Sequence, residues 1–269
     1  MHYSEIGNAN NPLRCSGLPR LLQCSLQTVL QMSLLRDDET PAGPAADTGS
    51  AVHAAVAEWH VGNQDARLAV ARMRERLAEF PLADLDDAEN QFNCYRYDPR
   101  NINAEVVAVE QHITFTIDPS PLDPTREKIH VRGTLDQIRL NNGIRSVWDI
   151  KTSKRDGYSL MSEHTAQLAG YVQGAAQTYK EHHEPGGLIL TRKYLERKAP
   201  PPALQPPGIF VEMPWTAQQV PSILASIAHT IALIRSGHIT FSPGEYCRWC
   251  IAGGVSGCIP QLHTLEVRK

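Results

Sequence analysis

The chain reads as a mixed α/β fold, a central mixed β-sheet flanked by helices. Three observations lead there. Glu105 to Ile117, EVVAVEQHITFTI, is rich in β-branched residues and has strand composition. Two further apolar runs, Ile129 to Leu140 and Ile144 to Ile150, flank Asn142-Gly143, a strong short-range hairpin signal. Segments with the 3.6-residue apolar period lie on both sides of these strands.

In chain order, Leu18 to Leu35 is the first expected helix, with Leu18, Leu21, Leu22, Val29 and Leu30 forming an apolar stripe. Pro41 to Thr48, rich in Pro, Gly and Ala, reads as a loop. SAVHAAVAEWHV, Ser50 to Val61, is rich in helix formers and has an apolar face. Asp65 to Phe80 is another helix, which Pro81 stops. The three strands follow. Then come a helix from Ser162 to Glu181 and a short buried strand, Gly187 to Thr191. Pro200 to Pro207 carries five prolines and reads as an extended, exposed loop. Ile209 to Met213 is a strand, Thr216 to Ser236 a helix, and the tail from Pro243 is rich in glycine and cysteine. No internal repeat is present.

Composition narrows the function classes. The chain has 269 residues and is 42% hydrophobic, enough for a real core. No window approaches eighteen consecutive apolar residues, so no membrane span is expected. The opening MHYSEIGNANNPLR lacks the apolar region of a secretory signal, so the cytoplasm is the expected compartment. With 26 basic and 29 acidic residues, the net charge of −3 gives no global pull toward nucleic acid. Acids gather from Glu75 to Glu89. Bases gather at Lys151, Lys154 and Arg155, and again at Arg192, Lys193, Arg197 and Lys198. A nucleic-acid reading therefore rests on local patches, whose bland alternative is a solvated face.

The hairpin carries chemistry. With Asn142-Gly143 as a two-residue type I′ loop, facing positions sum to 285, so Asp136 faces Asp149. Facing Cβ atoms lie roughly 4.5–5.5 Å apart, and like charges there repel unless a cation sits between them. Mg²⁺ takes carboxylate oxygens together with waters and substrate phosphate. Lys151, two residues past Asp149, shares its face and can orient or help deprotonate a water. Asp, Asp and Lys on one surface suit metal-assisted phosphodiester hydrolysis. The competing structural reading pairs Asp136 with Arg132 or Arg145.

GTLDQ followed by WDIKTSK resembles motifs II and III of the PD-(D/E)XK nuclease superfamily in its RecB-like branch. That branch continues with a helix carrying Gln-x-x-x-Tyr. Here QLAGY supplies Gln167 and Tyr171, sixteen residues after Lys151 and on one helical face. The resemblance implies a restriction-endonuclease-like core over about 49–240. It also implies a metal-ligating His on the upstream helix, for which Gly49-x-x-x-His53 is the match and His60 the competitor. Glu110 matches the acid of the first core strand, as a weak ligand or a positioning group. The implied site is Asp136, Asp149, His53, Glu110 and the Ile150 carbonyl on Mg²⁺ or Mn²⁺, with Lys151, Gln167 and Tyr171 as further catalytic residues.

Six cysteines in a reducing compartment point to a metal or cluster site rather than disulfides. Cys247-x2-Cys250-x7-Cys258 wants a fourth ligand, and Cys24 offers one, with Cys15 close enough to compete. One early and three late cysteines resemble the iron–sulfur members of this branch, including the CRISPR-associated adaptation nuclease, helicase-linked repair nucleases and phage RecB-like exonucleases. The resemblance implies a [4Fe–4S] cluster joining segment 1–48 to segment 241–269; structural Zn²⁺ is the alternative. The seven-residue spacing before Cys258 is longer than the family usually shows. Cys94 reads as a buried thiol, and His164, His182 and His183 as surface residues. Together these features describe a metal-dependent DNA nuclease, an exonuclease on single-stranded ends by resemblance, with Lys154, Arg155, Arg192 and Lys193 tracking the backbone. Two alternatives stand beside it: an end-processing subunit working with a helicase, recombination or integration partner, and a non-catalytic DNA-binding module.

Overall fold

In the computed structural model, which describes residues 3–34, 43–75, 79–152, 157–191, 210–240 and 242, six strands form a mixed sheet. The expected proline loop, the cysteine tail with Cys247, Cys250 and Cys258, and the basic residues Lys154, Arg155, Arg192 and Lys193 lie outside the described residues. The elements run β1 (Leu13–Arg14), α1 (Leu18–Gln23), α2 (Ser25–Leu34), α3 (Pro44–Val61), α4 (Ala66–Glu75), α5 (Leu85–Tyr97) and α6 (Pro99–Ile102). Then follow β2 (Glu105–Ile117), β3 (Ile129–Asn141), β4 (Ile144–Lys151), α7 (Gly157–Tyr179), β5 (Glu184–Leu190), β6 (Phe210–Glu212) and α8 (Val220–Arg235). Strand order is β1-β3-β4-β5-β6, with β2 also paired to β3. The β1–β3 and β4–β5 pairs are parallel; β3–β4 and β5–β6 are antiparallel.

The hairpin follows the expected turn chemistry. Asn142 (φ 51°) and Gly143 (φ 79°) both take the left-handed region that a type I′ turn requires. The ladder runs from Asn141 opposite Ile144 to Gln137 opposite Trp148, each pair summing to 285. The parallel β4–β5 pair shifts register between Val147 and Trp148. A Cβ on Gly186 would lie 2.3 Å from Trp148 Nε1, so the backbone there needs glycine.

Several expectations are corrected. The helix expected over Leu18–Leu35 is two helices, because Cys24 is extended (φ −152°, ψ 97°) between them. The loop expected over Pro41–Thr48 is already helical from Pro44, whose fixed φ suits a first helical turn. Asp47 and Thr48 are buried there, accepting from the Leu82 and Asp84 amides. The second half of the acidic stretch, read only as charge, is the start of α5: Asp84 caps the Asp87 amide, and Asp86 and Asp87 lie in the first turn. His183 is buried rather than on the surface, its Nδ1 donating to the Glu181 carbonyl; burial lowers its pKa. Cys94 is buried as expected, which pushes its thiol up to about 11.

The chain divides into two compact units. One comprises Ala42–Ile113 and Thr134–Gln218. Its core joins Ala51, Val52, Ala55, Val56 and Trp59 of α3 to Phe92 and Tyr95 of α5, Ile150 of β4 and Ile189 of β5. Each large apolar side chain buried this way contributes about 1.5–3 kcal/mol. Helix α7 packs against β4 and β5. Beside this core, Arg139 is buried. It donates to Asn101 Oδ1 (2.6 Å), Gln137 Oε1 (2.9 Å) and Tyr95 Oη (3.2 Å), and lies over the rings of Phe210 and Trp148.

The other unit comprises Met1–Pro41, Thr114–Gly133 and Gln219–Lys269. Its buried ion pair is Arg235 with Asp123, 2.6 Å apart and both side chains fully buried. Arg235 also donates to the Ile6 and Glu127 carbonyls, tying α8 to two distant stretches of chain. The span Ala217–Arg235 is long and apolar enough to cross a membrane by composition alone. Here it packs on α1, with Ile227, Ile231 and Ile234 buried and its last residue in the ion pair, as a core helix does.

Candidate active site

The hairpin ladder, carried one step beyond Gln137–Trp148, brings Asp136 abreast of Asp149. Asp136 Oδ2 accepts from the Ile150 amide at 2.5 Å, which fixes that carboxylate across the two strands. Its other oxygen, Oδ1, lies 3.2 Å from His53 Nδ1. The same nitrogen lies 3.1 Å from Glu110 Oε1. The ligand atoms of His53, Glu110 and Asp136 all fall within 4.8 Å of one another. Burial works against charge on His53. The Asp136 carboxylate and the bonds to Asp136 and Glu110 outweigh it and raise the pKa well above the usual imidazole value.

Backbone geometry aims each member of the cluster. Glu110 has φ 46°, left-handed for a residue with a Cβ. Along β2 the burial alternation slips by one residue here: Glu105 and Val107 are exposed before it, Gln111 and His112 are both exposed just after it, and from Ile113 onward the odd positions are the buried ones. That is the behaviour of a β-bulge, which turns a side chain from one face toward the other. On α3, a Cβ on Gly49 would come 3.0 Å from Thr152 Oγ1, so glycine lets the helix approach the end of β4 closely. His53 lies one turn further along that helix. His60, its competitor in the sequence, instead meets Tyr95 Oη at 2.7 Å. Burial, with the Arg139 charge, lowers its pKa to about 4, so it is neutral.

Asp149 is 2% exposed, and Lys151 Nζ lies 2.8 Å from its Oδ2. At that distance the ammonium is the partner of Oδ2, both as a charge and as a donor. Burial raises the Asp149 pKa, Lys151 opposes, the Asp136 charge adds, and His164 opposes; the net shift is upward. A buried acid paired with a lysine, beside two further carboxylates and an imidazole, is the donor set a hard divalent cation takes. These residues fit such an ion.

Helix α7 completes the site. Gln167 is buried and donates to Tyr171 Oη at 2.9 Å, with a longer contact of 3.5 Å to Asp149 Oδ1. Its Oε1 accepts from Lys151 Nζ at 3.4 Å and from His164 Nδ1 at 2.8 Å. His164 is therefore not the surface residue expected but a half-buried member of the site. Its signal in the sequence was the i, i+3 spacing to Gln167. Arg145, offered as a partner for Asp136, instead pairs with Glu181 at 2.5 Å.

No curated protein matches this chain. The crystal structure of SSO0001 is similar at 17% identity, over 86% of this chain and 91% of that one, with a TM-score of 0.36. A family model for the PD-(D/E)XK nuclease superfamily matches residues 13–255, most of the chain and every member of the cluster just described. The chain thus belongs to the PD-(D/E)XK nuclease superfamily, whose members use divalent metals.

Proposed function

We propose that this protein is a RecB-like deoxyribonuclease that hydrolyses phosphodiester bonds at single-stranded DNA ends. The observation that carries the reading is the His53–Glu110–Asp136 cluster beside the buried Asp149–Lys151 pair. Asp136 and Asp149 hold Mg²⁺ or Mn²⁺, with His53, Glu110 and the Ile150 carbonyl as further ligands. Bound there, the ion supplies Lewis-acid polarisation of the scissile phosphoryl group and eases ionisation of a water. Lys151 orients that water. Gln167 holds Lys151 and Asp149 in place, and Tyr171 and His164 hold Gln167. The water gives a proton to solvent and its oxygen bonds to phosphorus, one P–O ester bond breaks, and the departing oxygen takes a proton from solvent. Lys154, Arg155, Arg192 and Lys193 track the DNA backbone.

We further propose that Cys24, Cys247, Cys250 and Cys258 hold a [4Fe–4S] cluster, with Zn²⁺ as the alternative. Support comes from the neighbourhood of Cys24: Ser25 Oγ and the Leu26 amide bond the Thr240 backbone, seven residues before Cys247. A cytoplasmic setting and a helicase, recombination or integration partner belong to the same reading. The test is cleavage of end-labelled single- and double-stranded DNA with Mg²⁺ or Mn²⁺. Asp149→Ala and Lys151→Ala are each expected to lose on the order of 10²–10⁴-fold in rate. Equal inertness of wild type and both variants, with DNA binding intact, refutes the nuclease reading for this chain.

A further inference from the structure

One strand repeat from the acidic cluster stands a polar pair that the proposed chemistry leaves unused. Strand β2 pairs with β3, and across that pair His112 Nδ1 lies 2.9 Å from Thr134 Oγ1. Thr134 comes two residues before Asp136 on β3, so the two share a face of the sheet, about 6.5–7 Å apart. His112 comes two residues after Glu110 on β2. Both belong to the unit that carries the acidic cluster. His112 is exposed and Thr134 half-buried. Among the described residues the Thr134 hydroxyl is the one hydrogen-bond partner of the imidazole, and Nε2 has none. A hydroxyl that donates into Nδ1 leaves the ring hydrogen on Nε2, and so fixes both the tautomer and the ring. The acids beside this pair offer a phosphodiester no donor, and Lys151 is engaged with Asp149 and Gln167.

We propose that His112, held by Thr134, binds the phosphate next to the one that is cut. Its Nε2–H donates to a non-bridging oxygen of that neighbouring linkage, a hydrogen bond strengthened by the charge of the acceptor. The step from Asp136 to Thr134 is comparable with the step between successive phosphates of an extended strand. A strand laid with one phosphate at the acidic cluster therefore brings the next to His112. The preferred substrate carries a second anionic linkage beside the scissile one, so a dinucleotide is a poor substrate. This inference rests on the nuclease reading and names the part of the substrate that the site grips.

The test is steady-state cleavage by the full chain, in Mg²⁺ or Mn²⁺, of end-labelled (dT)20 and of copies with a single methylphosphonate linkage. That linkage keeps the backbone but replaces one non-bridging oxygen by a methyl group, and moving it along the strand maps each phosphate contact. Wild type is expected to lose about tenfold in kcat/KM when the modified linkage adjoins the cut one on one side. His112→Ala is expected to raise KM about tenfold on the unmodified strand, with kcat little changed, and to lose nothing further from the modification. Thr134→Val is expected to raise KM by a smaller factor, and Thr134→Ser to restore it. Urea midpoints of all variants guard against misfolding. If wild type cuts and the modification costs wild type and His112→Ala equally, or costs neither, this proposal alone is overturned. A shift of the urea midpoint with KM unchanged also overturns it, since the pair then only pins β2 to β3. Wild type inert with both ions overturns the nuclease reading, and this inference with it.

Discussion

Tyr95→Phe removes a single oxygen from the middle of a buried network, and its cost can be worked out from the partners of that oxygen. Tyr95 Oη accepts from Gln137 Nε2 (2.6 Å) and from Arg139 Nη2 (3.2 Å), and it donates to His60 Nε2 (2.7 Å). Phe fills the same space, so the edge-on contacts with Trp59 remain and no cavity opens. Arg139 keeps Asn101 and Gln137 Oε1. Gln137 Nε2 and His60 Nε2 each lose this partner. At about 1–3 kcal/mol for each polar group left unpaired, the loss is about 2–6 kcal/mol. Urea unfolding followed by tryptophan fluorescence reads it directly, because Trp59 packs on Tyr95. With a slope of about 2 kcal/mol/M, the midpoint drops by about 1–3 M. The His53–Glu110–Asp136 cluster is untouched, so any activity that depends on it persists at low temperature. A loss below about 1 kcal/mol refutes the claim that this hydroxyl satisfies the network.

Three further outcomes are expected. His60 has a folded pKa of about 4 against 6.5 unfolded, so the unfolded chain binds more protons between those values. Stability is then fully present above pH 6.5 and falls as pH drops toward 4, by on the order of 2 kcal/mol after solvent access is allowed for; urea midpoints at pH 7 and pH 5 should converge in His60→Gln. Arg235→Met leaves the Asp123 carboxylate buried without its cation, and thermal unfolding should show a loss of about 3–5 kcal/mol. Gly49→Ala puts a methyl 3.0 Å from Thr152 Oγ1 and displaces the helix that carries His53; cleavage should fall about tenfold while the unfolding midpoint moves little.

The strands and the placing of Asp136, Gln167 and Tyr171 were legible because each rests on a local rule. Asn142-Gly143 specifies its own turn, and that turn fixes a register, which set Asp136 beside Asp149 without tertiary information. Gln167 and Tyr171 needed only helical spacing. What escaped was decided by tertiary contacts. Nothing local marks Cys24 as extended between two helices; its neighbour Ser25 is held by Thr240, more than two hundred residues away. His164 looked like any polar helix residue until Gln167 turned its oxygen toward it. The slip in β2 was hidden because EVVAVEQHITFTI is rich in β-branched residues throughout, which masks the change of face at Glu110. His183 has no nearby pattern that distinguishes a buried imidazole from an exposed one.

The order in which residues enter the two units bears on how the chain matures during synthesis. The unit bearing the acidic cluster needs nothing beyond Gln218, whereas the other draws on three separated stretches, the last beginning at Gln219. On the ribosome the unit bearing the acidic cluster has all its residues first. The early stretch, with Leu18 and Leu21, must wait for α8 before its apolar surface is covered and Asp123 meets Arg235. Contacts closed over such long separations form slowly, and the waiting segments are exposed to misassociation meanwhile. Yield in a cell should therefore respond more to chaperone supply and translation speed than the stability of the finished protein alone implies.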